Sequence, residues 1–345
     1  MCSRNAPGRS TSVAEVSLRL GIMAIDGAMM SSIASVGDAL YVAQTLAEIR
    51  SPLGAPRLET IVFSARGSTA VTTSTGLTVA GLVPPPDDLD IVLVPGIMHR
   101  EPRALYERLE FLQPEIELLR KLHLRGVRLA GCCSGTFLLA ATGLLDGRRA
   151  TTSWWLAAAF RQYFPAVRLE ADAMFIEDHE IATTGAATAI QGLVLRLIAK
   201  ARGEELAQQT SRLLLIDAER QSQAPYVSQA LMEQPRSSLA EKAEQMLQRE
   251  LHNEISVARL AEHCGTSERS LLRHFQSYYG MGPSAHIQHL RVERAKALLE
   301  ATQLTFDEVV ERCGYTDVSS FRKLFKRATT LTPAGYRERF RLRAR

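Results

Sequence analysis

The chain has 345 residues, of which 46% are apolar and 23% are charged. This length suggests two domains, and the composition excludes a disordered, collagen-like or coiled-coil chain because it is close to the globular average. Five cysteines without a Cys-x-x-Cys pair or a Cys/His quartet predict neither a disulfide scaffold nor a metal site, and we expect no cofactor. The polar segment 1–13 lacks the apolar core of a secretory signal, so we expect a disordered tail on a cytoplasmic protein with no membrane association.

Basic residues are concentrated in the last third of the chain. From Arg236 onward there are 19 Lys and Arg against 13 Asp and Glu, a net charge of +6. The preceding residues have 22 against 24, a net charge of −2. A basic block at the end of an otherwise neutral chain indicates an anionic partner, of which DNA is the prime example.

The first two thirds of the chain alternate short apolar runs with helical patterns. The runs predict strands over residues 16–25, 60–64, 91–94, 127–132 and 181–184. The patterns predict helices over residues 102–124, from the end of the fourth strand to 145, 186–199 and 201–215. Strands that alternate with helices imply an α/β domain over residues 14–218, with a parallel sheet and helices on both of its faces.

Residues 219–237 are predicted to form a linker between two domains. This stretch is largely polar, contains Pro225 and Pro235, and shows no clear periodicity, which is typical of a connecting segment. Beyond it no strand candidate remains. Residues 238–345 are therefore predicted to form an all-α domain.

The helical domain contains an internal duplication. In each copy, four apolar residues at helical spacing come before a turn glycine. The first copy has Val257, Leu260, Ala261 and Cys264 before Gly265, and the second has Phe306, Val309, Val310 and Cys313 before Gly314. After each glycine a good helix cap, Ser267 or Asp317, begins a second helix. The duplication predicts two helix-turn-helix units.

In such a unit the second helix enters the DNA major groove. We therefore expect DNA contacts from polar and basic residues near the start of each second helix. In the first unit these are Ser267, Glu268, Arg269, Ser270 and Arg273. In the second unit they are Thr316, Ser319, Ser320, Arg322, Lys323 and Lys326. Two ordinary helical hairpins are the alternative, but duplication, capping and basic faces together favour DNA binding.

Motifs of the second unit resemble those of AraC-type transcriptional regulators. The matching segments are Gly314-Tyr315-Thr316-Asp317, Ser320-Phe321, Phe325-Lys326 and Thr332-Pro333-Ala334-Gly335-Tyr336-Arg337. The resemblance covers residues 238–340 with two departures, because Thr330 stands where a glycine is usual and His286 stands where the second repeat has Tyr336. It implies promoter DNA and RNA polymerase as partners, a homodimer, and control of a bacterial catabolic operon for amino acids or quaternary amines.

A pattern in the α/β domain is typical of an enzyme. Gly131-Cys132-Cys133-Ser134-Gly135 lies between a predicted strand and a predicted helix, as in a nucleophile elbow, where glycines permit a sharp turn that lifts the central residue above the sheet. Cys133 is that residue, and we expect the helix N-terminus to lower the pKa of its thiol. This edge of a parallel sheet is also where ligands bind in α/β proteins.

The stretch from Gly143 to Trp154 resembles the PfpI-type, class I glutamine-amidotransferase-like domain that occurs fused to AraC-type DNA-binding domains, and this resemblance covers residues 16–215. That family usually has a histidine where this chain has Ser153, 20 residues after Cys133. A cysteine hydrolase needs a base. His179, between two acidic residues in a predicted turn, is expected to be exposed. We therefore expect no catalytic residues and no enzyme.

The remaining interpretation is a degenerate site that senses a small molecule, an effector of the amino-acid or quaternary-amine type. Its expected ligand-binding residues are Gly96, His99, Cys133, Ser134, Ser153 and Trp154. The whole chain is then a sequence-specific DNA-binding transcriptional regulator. The rival interpretations are a cysteine amidase or protease with an accessory DNA-binding domain, and a constitutive architectural DNA-binding protein.

Overall fold

The computed structural model describes residues 18–50, 57–217, 222–227, 238–253 and 255–341. The predicted tail, residues 1–13, lies outside the described residues. The strands of the first domain are β1 (Leu18–Met23), β2 (Leu58–Phe63), β3 (Ala70–Thr72), β4 (Thr78–Ala80), β5 (Ile91–Val94), β6 (Arg128–Cys132), β7 (Arg149–Ala150), β8 (Arg168–Leu169), β9 (Phe175–Asp178) and β10 (Ile181–Thr184). Its helices are α1 (Met30–Arg50), α2 (Pro102–Arg108), α3 (Gln113–Leu124), α4 (Gly135–Ala141), α5 (Ala157–Tyr163), α6 (Ala189–Arg202) and α7 (Glu204–Leu213).

The main sheet confirms the α/β prediction, with a correction at one edge. Its strand order is β2-β1-β5-β6-β10-β9. Neighbours from β2 to β10 are parallel, but β9 runs antiparallel to β10. The two strands are joined by a tight turn in which His179 has a φ of 55°. A turn this short can join only antiparallel strands, whereas a parallel pair needs a long crossover.

Several helices differ from the prediction. The helix predicted to reach residue 145 ends at Ala141, and α5 was not predicted. The predicted helix 102–124 is divided into α2, a 3-10 turn over Leu109–Leu112, and α3, since Pro114 is tolerated only in the first turn of a helix. The sequence patterns did not predict α1, whose buried face includes Ile33, Val36 and Ala43. Small residues on that face make its apolar stripe inconspicuous in the sequence.

Apolar layers cover both faces of the sheet, as expected for parallel strands buried on both sides. One layer packs α1 and α6 against the sheet, with Ile22 and Leu93 among the strand residues that it covers. The other packs α3, α4 and α5 against side chains such as Val92 and Leu129. These layers bring the carboxyl ends of β1, β5, β6 and β10 to one edge, where the elbow after β6 lies.

The second domain is helical, as predicted. Its helices are α8 (Ser238–Glu250), α9 (Val257–His263), α10 (Glu268–Tyr279), α11 (Pro283–Ala301), α12 (Phe306–Arg312), α13 (Val318–Thr329) and α14 (Pro333–Phe340). Each helix-turn-helix unit has its own core, built around Leu271 and Phe275 in the first and around Phe321 and Phe325 in the second. Helix α11 contributes to both cores, with Leu290 in one and Val292 in the other. One continuous helix therefore joins the two units.

The departure of Thr330 from the AraC-type motif coincides with a strained backbone. Helix α10 ends at Gly280, which has a φ of 71°, and α13 ends at the equivalent Thr330, which has a φ of 62°. Glycine adopts this left-handed conformation readily, but a β-branched residue does so at a cost. The second unit therefore ends its helix in the same way as the first, although it has threonine where the first has glycine.

The predicted linker, residues 219–237, is described only over residues 222–227. There the chain forms a 3-10 turn over Ala224–Tyr226. Within the described ranges, no helix has the length and apolar character that spanning a membrane requires. The same ranges contain no group of three or more His, Cys, Asp or Glu residues placed to hold a metal ion.

Candidate DNA interface and nucleophile elbow

The second helices of the two units, α10 and α13, are capped by the predicted residues. The Ser270 backbone N–H donates a hydrogen bond to the Ser267 hydroxyl at 3.3 Å. The backbone N–H groups of Ser319 and Ser320 donate to the Asp317 carboxylate at 2.9 and 3.1 Å. Hydrogen bonds from Ser320 hold the pKa of Asp317 below its usual value. The cap is therefore ionised near neutral pH, the charge state that a helix N-terminus favours.

The side chains predicted to contact DNA face solvent on these helices. All of them are exposed except Ser270, which is half-buried. Several also have a role within the domain, because the Ser320 hydroxyl donates to Asp317 at 2.5 Å and the Arg322 guanidinium lies 4.8 Å from the centre of the Phe306 ring. Arg273 and Lys323 occupy matching positions on the two helices and are exposed.

Contacts between the units hold them in a defined relative position. Arg291 on α11 donates hydrogen bonds to the carbonyls of Leu251 at 3.1 Å and Asn253 at 2.6 Å, just after α8. Its guanidinium also lies 5.0 Å from the ring centre of Tyr315, in the turn of the second unit. Arg291 thus links the end of α8 to the turn of the second unit.

The elbow after β6 has the geometry that the sequence predicts. Cys133 has a φ of 56°, in the left-handed region, and such strain in a residue other than glycine often accompanies a functional site. A side chain at Gly135 would lie 2.5 Å from the Pro95 carbonyl oxygen and 2.6 Å from that of Val94. Glycine at this position therefore allows α4 to begin in direct contact with the end of β5.

The thiol of Cys133 is closed off from solvent. Cys133 is 3% exposed, and the Ser153 hydroxyl donates a hydrogen bond to its sulfur at 2.8 Å. Burial raises the pKa of the Cys133 thiol, and the hydrogen bond from Ser153 offsets this only in part. The predicted lowering of this pKa is therefore wrong, because removal from water disfavours the thiolate more strongly than its neighbours favour it.

The other predicted ligand-binding residues surround the elbow but bond to the protein itself. Ser134 both donates to the Ile97 carbonyl at 2.8 Å and accepts from the Ile97 N–H at 2.7 Å. His99 is half-buried, with its Nδ1 2.9 Å from the Ile97 carbonyl oxygen. Gly96 lies beside Cys133, and a side chain there would be 3.4 Å from the Cys133 Cβ. The structure thus brings these residues together in a packed arrangement.

Two further predictions concern an aromatic and a histidine side chain. Trp154 is 7% exposed and packs edge-to-face on Trp155, with ring centres 5.3 Å apart. Trp154, an expected ligand-binding residue, is therefore buried against its neighbour. His179 has a 78% exposed side chain and pairs with Asp178 at 2.5 Å, which agrees with the expected exposed position.

The sequence patterns missed a buried glutamine beside the elbow. Gln223 lies in the predicted linker, yet it is 1% exposed and reaches the backbone of Thr152 and Trp154, on either side of Ser153. A single glutamine in a polar, non-periodic stretch has no pattern that predicts burial. The short apolar run Pro225-Tyr226-Val227 that follows it is a signal from which packing of this segment could have been predicted.

A cavity lies away from the elbow, between α6, α7 and β9. Its volume is about 410 Å³, and its lining includes Phe175, Arg196 and Glu204. The Arg196 guanidinium lies 4.9 Å from the centre of the Phe175 ring on one wall. This cavity combines an apolar surface with charged groups of both signs, but none of the predicted ligand-binding residues lines it.

Comparison with known proteins locates a helix-turn-helix domain over residues 260–339. HTH-type transcriptional regulator GbdR of Pseudomonas aeruginosa is 28% identical over 254 residues, which cover 72% of this chain and 66% of GbdR, just under two thirds of its length. HTH-type transcriptional regulator CdhR of the same species is 32% identical over 236 residues, covering 67% of this chain and 69% of CdhR. The crystal structure of an AraC family transcriptional regulator from Pseudomonas putida covers 57% of this chain and 99% of its own, with 19% identity and a TM-score of 0.44.

Proposed function

The chain belongs to the AraC-type family of helix-turn-helix transcriptional regulators, and on this basis we propose that it binds promoter DNA and regulates transcription. It acts in the cytoplasm as a homodimer and engages RNA polymerase. The observation that carries the proposal is the pair of capped units joined by α11, each with exposed basic side chains on its second helix. Each such helix reads one major-groove segment, and successive segments on one face of DNA are about 34 Å apart.

Arg273→Ala and Lys323→Ala are each expected to weaken binding to a specific DNA site by about 1–3 kcal/mol, because a base contact in the major groove contributes about this much. The measurement is the affinity for a sequence that the wild-type protein selects from a random DNA pool, at fixed salt. Lys121→Ala, at an exposed lysine of the first domain, is the control and should leave the affinity unchanged. Full affinity in the Arg273/Lys323 double variant would contradict the proposal. So would a DNA footprint in which the wild-type protein protects only one helical turn.

We further propose that the first domain senses a small metabolite rather than catalysing a reaction. In support of this, Ser153 occupies the position of the usual histidine, and a serine hydroxyl is not a base able to remove a thiol proton near neutral pH. Amino acids and quaternary amines are the first compounds to test. A ligand at 100 times its Kd should add about 2.7 kcal/mol to the stability of the protein, which a thermal-shift screen would detect.

Cys133→Ala is expected to leave DNA affinity unchanged and to alter only the response to an effector, because the buried thiol is not an effective nucleophile. The measurement compares wild type and variant in DNA binding and in hydrolysis of amides and peptides. Iodoacetamide should modify Cys133 slowly in the folded protein, since its thiol is buried and its pKa is raised. Hydrolysis by the wild type that disappears in the variant would instead favour the cysteine amidase or protease.

A further inference from the structure

Residues 222–227, here called the bridging segment, connect the two domains and bond to both. On the first domain, the Gln223 backbone N–H donates to the Asp172 carbonyl at 2.7 Å, and the Ser222 hydroxyl donates to the same oxygen at 3.0 Å. These bonds hold the start of the bridging segment against the loop before β9.

The other end of the bridging segment bonds to the DNA-binding domain. The Arg339 guanidinium donates to the Tyr226 hydroxyl at 2.9 Å, and the Tyr226 ring packs edge-to-face on Phe340 with centres 5.2 Å apart. The buried ammonium of Lys296 on α11 donates to the Val227 carbonyl. The first domain also touches α10 directly through α5. Release of the bridging segment from the first domain would therefore affect the position of the DNA-binding domain.

The Gln223 side chain enters a polar recess that we call the amide socket. Its Nε2, which has two hydrogens to donate, lies 2.8 Å from the carbonyl oxygen of Thr152, 2.9 Å from that of Ala171 and 3.0 Å from that of Ala173. Its Oε1 lies 3.2 Å from the donating N–H of Ala186 and 3.4 Å from that of Trp154. The amide socket is thus made of five backbone groups and the Thr151 hydroxyl, whose oxygen lies 3.4 Å from Nε2, with acceptors around the nitrogen and donors around the oxygen.

This arrangement is complementary to a primary carboxamide. A carboxylate would bring an oxygen against three carbonyl oxygens, and an ammonium would leave the two N–H donors without an acceptor. The space around the amide is also restricted, because a Cβ at Gly185 would lie 2.4 Å from the Gln223 Cδ. Buried polar groups are costly without partners, so an emptied amide socket favours a replacement of the same chemistry.

We propose that the amide socket is a binding site for a small primary carboxamide, that the chain fills it with its own Gln223, and that a free amide ligand displaces this side chain and releases the bridging segment from the first domain. The proposal rests on the sensing function proposed above and narrows its ligand class to compounds with a primary carboxamide, which include amide-bearing amino acids but exclude quaternary amines. The socket adjoins the elbow, since Thr152 also donates from its hydroxyl to the Cys133 carbonyl at 2.8 Å.

Competition with a tethered side chain determines how the experiment must be designed. An attached group has an effective concentration in the millimolar range, so a minimal amide competes poorly in the wild-type protein. Gln223→Ala removes the competitor and leaves the groups of the socket in the chain, because five of them are backbone atoms and the sixth is the Thr151 hydroxyl. The variant should therefore bind a minimal amide that the wild type binds weakly.

The first test measures thermal unfolding of the full chain with acetamide. Gln223→Ala is expected to melt below the wild type, and acetamide should raise its midpoint by more than it raises that of the wild type. Gln288→Ala, at an exposed glutamine of α11, is the matched control and should respond as the wild type does. N,N-dimethylacetamide lacks the two N–H donors and should not restore the variant. Equal responses to acetamide in all three proteins would overturn the proposal.

A second test uses hydrogen–deuterium exchange. Gln223→Ala should speed the exchange of residues 222–227, and acetamide should leave this faster exchange in place because it restores the socket without the tether. Gly185→Ala should also expel Gln223 and speed this exchange, but its methyl group would occupy the socket and abolish the acetamide response. Unchanged exchange in both variants would refute release of the bridging segment. A thermal-shift response of the wild type to another metabolite, together with no response of Gln223→Ala to acetamide, would refute the socket and leave the proposed sensing function in place.

Discussion

Replacing Gly314 with alanine is expected to lower the free energy of unfolding of the DNA-binding domain by about 2–4 kcal/mol. Gly314 has a φ of 76°, which costs about 1 kcal/mol in a residue with a Cβ. That Cβ would also lie 2.7 Å from the His252 carbonyl oxygen and 2.8 Å from its carbon. Because this neighbour is backbone, α8 and the turn of the second unit would have to move apart.

Gly265→Ala provides the matched comparison, since Gly265 is the equivalent turn residue of the first unit. Its φ is 66°, but no atom of the described residues lies within 4 Å of a Cβ built there. We expect the free energy of unfolding of this variant to fall by only about 1 kcal/mol, the conformational cost of the left-handed backbone. Chemical denaturation measures the free energy of unfolding of both variants. Gly314→Ala should in addition weaken specific DNA binding strongly. Equal losses in the two variants would show that the contact with His252 has no energetic weight.

Gly135→Ala is expected to destabilise the first domain by about 3 kcal/mol, the upper range for adding a group to a closely packed site. Its Cβ would lie 2.5 Å from the Pro95 carbonyl oxygen and 2.6 Å from that of Val94. The start of α4 would have to retreat from the end of β5, carrying Cys133 with it. The hydrogen bond between Ser153 and the Cys133 sulfur would then lengthen, and alkylation of Cys133 should become faster.

Gly37→Ala is the control for this substitution. Gly37 lies inside α1, and within the described part of the chain nothing approaches a Cβ there within 4 Å. Alanine is the better helix former, so we expect a gain of about 0.5–1 kcal/mol and no change in Cys133 alkylation. Denaturant unfolding and the alkylation rate are the measurements. A Gly135→Ala variant as stable as the wild type would contradict the predicted collision.

Local signals in the sequence were sufficient for the helix-turn-helix units. Stripes such as Val309 and Val310, the turn at Gly314 and the cap at Asp317 all act within a few residues of one another, so spacing alone determines the elements they form. The elbow around Cys133 was likewise predictable, because a strand, a short glycine-flanked turn and a helix are contiguous in the chain.

The tertiary structure decided what depends on distant parts of the chain. The sequence places Cys133 at a helix N-terminus, but its raised pKa comes from burial under segments such as that of Ser153. Gln223 lies in a stretch without periodicity, and its burial follows from backbone groups near residues 152, 171–173 and 186, which converge only when the sheet forms. The sequence alone determined which local elements form, because their signals are short-range. Burial and the closing of the amide socket depend on long-range packing, which no local pattern encodes.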